Sequence, residues 1–251
     1  MIRFIQACME LIDRQTYISW SLPEDWHIIL SANPDDGSYL VTSMDDAQKS
    51  RFISVDLKFD EKIWAVWAEN NDIDGRGINF TLLHPELVNS RVNARSITTF
   101  FNAISSIEDF EKQLPLIQMI GEGSTGTEFT TMFTTFIHGK LDKLITPETI
   151  LNHKNEAWMI GELKACVGAD KTYRADIASV IITRLINYTL RYSETNAITQ
   201  THIDRLIRLS TDTDIFNNDL QYILIKKIFN GNKQKFQKLL ANLQVMDMAL
   251  K

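Results

Sequence analysis

Trp26-His27-Ile28-Ile29-Leu30-Ser31-Ala32-Asn33-Pro34 is a continuous apolar run that stops at a polar amide and a proline. A run this short and unbroken fits a strand buried on both faces of a parallel sheet. Asp35-Asp36-Gly37-Ser38 follows as a turn. Ser43 to Ser50 then reads as a helix, with Ser43 as its cap and Asp45 and Asp46 in its first turn. Phe52, Ser54 and Asp56 alternate with Ile53, Val55 and Leu57, the period of a second strand. Upstream, Phe4 to Ile12 is amphipathic at helical spacing, and Tyr17 to Trp20 is a short β-prone piece.

After Phe59 almost everything has helical periodicity. Helices are expected over 60–69, 84–89, 94–110, 127–143, 155–167, 173–192, 199–209, 215–229 and 233–243, with Pro147 in the first turn of another. Asn70 to Asn79 holds Asp72, Asp74, Gly75 and Gly77 and reads as a loop, and Gly121 to Gly126 as a break between helices. The expected fold class is therefore mainly α, with two strands near the start. Two parallel-type strands are too few for a stable sheet.

Composition narrows the function classes. The 251 residues hold 26 basic and 32 acidic side chains, a net charge of −6, which argues against a dedicated nucleic-acid binder. Cys8 and Cys166 stand far apart in apolar helical patterns, so they read as buried free thiols in a reducing cytoplasm. Met1-Ile2-Arg3 leads straight into a helical pattern without a signal-peptide pattern, and stretches such as Ile177 to Ile182 are too short to span a bilayer. His27, His84, His138, His153 and His202 lack metal-ligand spacing. The Asp72–Gly77 segment lacks the Glu that closes a calcium loop.

Two short segments carry candidate chemistry. Asn33 stands where an apolar strand would leave its sheet, the place where ligands bind in open α/β folds. Arg51, in Met44-Asp45-Asp46-Ala47-Gln48-Lys49-Ser50-Arg51-Phe52, stands between a helix and a strand, and a guanidinium suits phosphate. Read separately, Asn33 is a turn cap with Pro34, and Arg51 a surface arginine paired with Asp45 or Asp46.

Read in order, the two segments resemble the sensor-1 to arginine-finger stretch of MoxR-type AAA+ ATPases, phage and bacterial members in particular. The resemblance implies that Asn33 is sensor 1, touching the γ-phosphate and its attacking water. It implies that Arg51 is the arginine finger, reaching the ATP of a neighbouring subunit. It points to Arg95, in Val92-Asn93-Ala94-Arg95-Ser96-Ile97, as the sensor 2 that folds over the γ-phosphate. Arg174, which also begins a helix, is the second choice, and Arg91 a weaker third. The same resemblance divides the chain into a core portion (1–59), a helical lid (60–110) and a helical extension (111–251).

The P-loop string G-x-x-x-x-G-K-[ST] does not occur in these residues, and neither does an apolar strand ending in Asp-Glu. Gly121-Glu122-Gly123-Ser124-Thr125-Gly126 fits G-x-G-x-x-G, but no strand precedes it and it has no Lys. The chain thus looks as if it begins after the Mg²⁺-binding strand, and ATP with Mg²⁺ belongs to the complete protein. The resemblance implies a hexameric ring, or a complementary N-terminal ATPase fragment, and remodelling of a protein client. The chain alone is not expected to hydrolyse ATP. The alternative is a non-catalytic helical adaptor that retains an ATPase relic. On either reading the Ile28 and Ile53 strands lack neighbours, so the segment before Asp60 is expected to be weakly stable or to pair in a way unlike the family.

Overall fold

The computed structural model describes residues 2–33, 35, 41, 44, 46–89 and 92–250. Among the described residues the protein is mainly helical, with one small antiparallel sheet. It divides into two compact units, Met1–Lys58 and Phe59–Lys251.

The first unit opens with α1 (Ile2–Arg14), on which Cys8, Leu11 and Ile12 are half-buried. Strands β1 (Thr16–Tyr17) and β2 (Trp20–Ser21) pair Tyr17 with Trp20 across a two-residue turn. Ile18, the first turn residue, has φ 55°, a left-handed conformation that a β-branched side chain adopts only at a cost. The unit's other helix is α2 (Asp46–Lys49), shorter than the helix expected over 43–50. The proposed cap Ser43, the expected first-turn Asp45, Pro34 and the turn residues Asp36 to Ser38 lie outside the described residues, as does Arg91.

The two expected strands are not formed. Residues 26–33 and 53–58 carry no regular secondary structure, and no backbone hydrogen bond joins them among the described residues. Their apolar side chains face solvent: Ile29 is 90% exposed, Ile53 96% and Leu57 94%. The physical reason is the lack of partners. A parallel strand needs neighbours on its edges and helices over its faces, and a four-residue α2 covers little.

The second unit is built from helices with legible ends. Helix α3 (Glu61–Asn70) is capped by Asp60, whose carboxylate accepts from the N–H groups of Lys62 and Ile63. The segment 70–79 is not all loop, because α4 (Gly75–Leu83) starts within it. Asp74 caps α4 by accepting from Arg76 N–H, and Gly77 lies against Phe101, where an added Cβ would stand 2.4 Å from the ring. The glycine marks close packing rather than a loop. A short 3₁₀ turn (Pro85–Leu87) leads to α5 (Ala94–Ile104), which starts at an Asn93–Ser96 capping box and ends earlier than periodicity suggested.

Helix α6 (Leu114–Ser124) runs through Gly121 and Gly123, and the break before α7 (Thr127–His138) comes at Gly126, with φ 88°. A 3₁₀ turn (Leu141–Lys143) and α8 (Pro147–Asn152) follow, with Pro147 in the first turn as expected. The rest comprises α9 (Glu156–Val167), α10 (Ala175–Thr195), α11 (Gln200–Thr211), α12 (Asn218–Gly231), α13 (Lys233–Phe236) and α14 (Leu243–Leu250). A 3₁₀ turn (Gln237–Ala241) separates the last two, so the single helix expected over 233–243 is divided.

These helices form two apolar cores. One holds residues from Trp64 to Ile137 and draws on both sides of residue 110, with Phe80, Phe100, Phe101, Phe110, Phe129 and Phe133 fully buried. Phe80 meets Phe129 and Phe133 edge-on, each at 5.0 Å between centroids. The other runs from Ile150 to Val245 around α10, α11 and α12. Helix α10 also contacts α3 and α4, so it borders both cores. Cys8 and Cys166 are free thiols, each only partly buried. Among the described residues no helix is long and apolar enough to cross a membrane.

The unpaired segments generate a test by amide hydrogen exchange. Amides of 26–33 and 53–58 are expected to exchange at rates close to those of an unstructured chain, while those of α5, α7 and α10 are protected. Strong protection throughout Trp26 to Leu57 in the isolated monomer would contradict this fold for the first unit.

Candidate functional site

Asn33 is exposed and sits in irregular backbone rather than at the end of a strand. Arg51 lies in the turn after α2. Its Nε donates to Asp13 Oδ1 at 2.6 Å, and one Nη donates to the Ala47 carbonyl. The ion pair joins the α2 turn to α1, with the two side chains 35% and 43% exposed. Asp13, far away in sequence, is thus one partner of Arg51; Asp45, one of the two partners expected, lies outside the described residues.

In the second unit, Arg95 is exposed in the first turn of α5, where its N–H donates to Asn93 Oδ1 at 3.1 Å. It lines a shallow, largely apolar groove of about 360 Å³ together with Trp64, Trp67 and Thr98. Arg174 precedes α10 and forms a two-point pair with Asp176 at 3.0 and 2.7 Å. That hydrogen bond holds the Asp176 carboxyl below the usual carboxylate range and raises Arg174 above its own. Arg95 and Arg174 line no common cleft among those described.

The larger cleft, about 460 Å³, lies between the α3–α4 turn, the approach to α8, and α10. Arg184 is among the residues that line it. The residue is 8% exposed, and its Nε donates to Glu69 Oε1 at 2.6 Å. One Nη donates to the Gly75 carbonyl at 3.1 Å and to Asn79 Oδ1 at 3.0 Å. One turn on, Tyr188 lines the same cleft. Burial, with the charge of Glu148, raises its phenol above the ordinary value and keeps it protonated. Arg191 donates to the Glu69 carbonyl and to Asp72 Oδ1, the latter at 2.9 Å. Across the cleft, Arg76 grips Asp74 through Nε and Nη2 and lies 3.5 Å from the Phe110 ring centroid.

Asp142 completes this wall. It is 9% exposed, and its Oδ1 has no hydrogen-bond partner among the described residues. Burial raises its carboxyl above the ordinary value of 3.8, opposed mainly by a hydrogen bond from its own backbone N–H and the charges of Lys143 and Arg76.

In sequence, Asp72, Asp74 and Gly75 read only as a loop without the Glu of a calcium site, and Arg184, Tyr188, Arg191 and Asp142 were not singled out. One signal was present: Arg184, Tyr188 and Arg191 are spaced four and three apart and share one face of a long amphipathic helix. A buried arginine within an apolar stripe requires anionic or carbonyl partners. Periodicity does not say which residues provide them.

Comparison of the chain with models of known protein families, with curated proteins and with solved structures finds no match to any of them.

Two substitutions probe the cleft. Arg184→Met leaves the Glu69 carboxylate buried without its partner and is expected to cost about 3–5 kcal/mol in denaturant unfolding. Pairing it with Glu69→Leu should recover most of that loss. For Asp142 the folded-state value is raised, so burial of the charge costs stability above pH 3.8 and costs none below it. Asp142→Asn should therefore raise Tm at pH 7, and the gain should vanish as the pH falls below 3.8. A gain that is independent of pH would contradict the burial argument.

Proposed function

We propose that this chain serves as the C-terminal part of a MoxR-type AAA+ ATPase, with 1–59 contributing to the ATPase core, 60–110 forming its lid and 111–251 a helical extension. The observation that carries the reading is the ordered sequence Ile28 to Pro34, then Asp45-Asp46-Ala47-Gln48-Lys49-Ser50-Arg51-Phe52. In a ring, Arg51 acts on ATP bound by a neighbour, while Asn33 and Arg95 act within the subunit. Hydrolysis then drives remodelling of a protein client in the cytoplasm. The P-loop and the Mg²⁺ ligands come from outside these residues, so the chain alone does not turn over ATP.

The setting of Arg51 suits this role. Its side chain is a third exposed, and its carboxylate partner Asp13 is also solvent-accessible. A surface pair of this kind is worth about 0–1 kcal/mol, so a phosphate displaces Asp13 at little cost. A planar guanidinium then binds the phosphoryl oxygens through two parallel hydrogen bonds. Arg184 is unsuited to such a role, because its donors are committed inside the fold.

A helical adaptor that retains an ATPase relic is the second reading. It is favoured by the absence of any pairing between the Ile28 and Ile53 segments among the described residues. One experiment separates the two. The chain is added to an intact ATPase subunit of this type whose own arginine finger has been replaced, and phosphate release is followed. Stimulation by the wild-type chain, lost by about 10³-fold or to background in Arg51→Ala, is the expected result. Binding without any Arg51 dependence supports the adaptor, and turnover by the purified chain alone overturns the first reading.

A further inference from the structure

Charge is spread unevenly along this chain. From Leu220 to Met246 it holds Lys226, Lys227, Lys233, Lys235 and Lys238, and no Asp, Glu or Arg. That leaves 21 of the 26 basic side chains against 32 acidic ones for the rest. The five lysines run from the end of α12 through α13 into the 3₁₀ turn (Gln237–Ala241). Lys227, Lys233, Lys235 and Lys238 are exposed, and Lys226 is half-buried. None of the five forms an ion pair among the described residues. Lys235 donates to the Ser193 carbonyl near the end of α10, and Lys226 Nζ lies over the Tyr222 ring.

Packing turns these ammonium groups outward together. Phe236 and Leu239 are fully buried, whereas Lys233, Gln234, Lys235, Gln237 and Lys238 are all exposed. Only about 8–10 Å of helical rise separates Lys233 from Lys238. The surface so formed bears ammonium and amide groups and no carboxylate. Like charges gathered without counter-charges repel one another, and a polyanion relieves that repulsion.

The chemistry of the surface discriminates among polyanions. Protein interfaces are depleted in lysine and centre on buried aromatic or arginine anchors, which this surface lacks. Insertion into a bilayer needs an exposed apolar face. Here Phe236, Leu239 and Val245 are fully buried, and from Lys226 to Met246 only Leu243 stands among the exposed large apolar side chains. Lysine with Asn and Gln is a set that contacts phosphate and sugar in nucleic acids without reading bases. A duplex carries one negative charge per about 1.7 Å of axis, so the span of this surface meets several phosphates.

We propose that the surface formed by Lys227, Lys233, Lys235 and Lys238, where α12 meets α13, binds the phosphate backbone of duplex nucleic acid without sequence preference. The acidic excess elsewhere keeps the net charge at −6 and opposes close approach of the rest of the chain, so this is a local contact and not the face of a dedicated binder. The inference makes no use of Arg51 or of ATP, so it stands or falls separately from the function proposed above.

The test is fluorescence anisotropy of a labelled DNA duplex titrated with the full chain over a range of salt concentrations. Saturable binding is expected at low salt, with log affinity falling against log salt at a slope of about −3 to −4. The triple variant Lys227→Gln, Lys233→Gln, Lys238→Gln should bind at least about tenfold more weakly and flatten that slope by about 3. Arg at the same three positions should keep both affinity and slope. The triple variant Lys62→Gln, Lys154→Gln, Lys171→Gln removes the same charge from exposed positions elsewhere and should leave the slope unchanged. No saturable binding, equal losses in the two Gln variants, or a slope indifferent to Lys227, Lys233 and Lys238 overturns the proposal. Tighter binding to vesicles of anionic phospholipid, or to polyglutamate, than to the duplex at the same salt also overturns it and assigns the surface to a membrane or to an acidic protein. An unchanged Tm in the first Gln variant, with retained binding in its Arg counterpart, separates loss of binding from loss of folding.

Discussion

A guanidinium buried in the middle of a helix has to be met by acceptors, and the placing of Arg184 organises much of the second unit. Its partners are Glu69 from the end of α3, the Gly75 carbonyl and Asn79 from α4. Three contacts from one helical hairpin tie α10 to the aromatic core that α3 and α4 help build. Arg191, two turns on, binds the Glu69 carbonyl at the last turn of α3. Carbonyls there have no intrahelical partner, and a cation beside them complements the helix dipole. One face of α10 thus satisfies the C-terminal end of α3.

The same arrangement makes the cleft. Because two arginines of α10 point toward α3 and α4, that face of the helix cannot close with apolar side chains. The space left is lined by paired charges, and Asp142 and Glu148 remain as its unbalanced members. The arginines of the chain therefore differ in kind. Arg184 is buried and committed to structure. Arg51 lies near the surface, where it pairs with a solvent-accessible carboxylate.

Much of the helical framework is legible without coordinates. Asp60, Asn93, Asn155 and Thr199 each accept from an early backbone N–H of the helix they precede. Such caps and the apolar stripes act within a few residues, so local sequence carries them. Gly75 and Gly77 misled because glycine marks a tight turn and a close helix contact alike, and Phe101 lies 24 residues from Gly77. The pair between Arg51 and Asp13 was not legible for the same reason, since the two are 38 residues apart.

The sequence by itself determined a mainly helical chain and the position of most of its helices. Only the tertiary structure decided that Ile28 and Ile53 head no paired strands, that one aromatic core draws on both sides of residue 110, and that Arg184, Asp142 and Tyr188 share a cleft. The division follows from range. A helix makes its hydrogen bonds within four residues, so its pattern is written locally. A strand, a buried charge and a cleft are each completed by residues distant in the chain, and which residues arrive there is settled by packing.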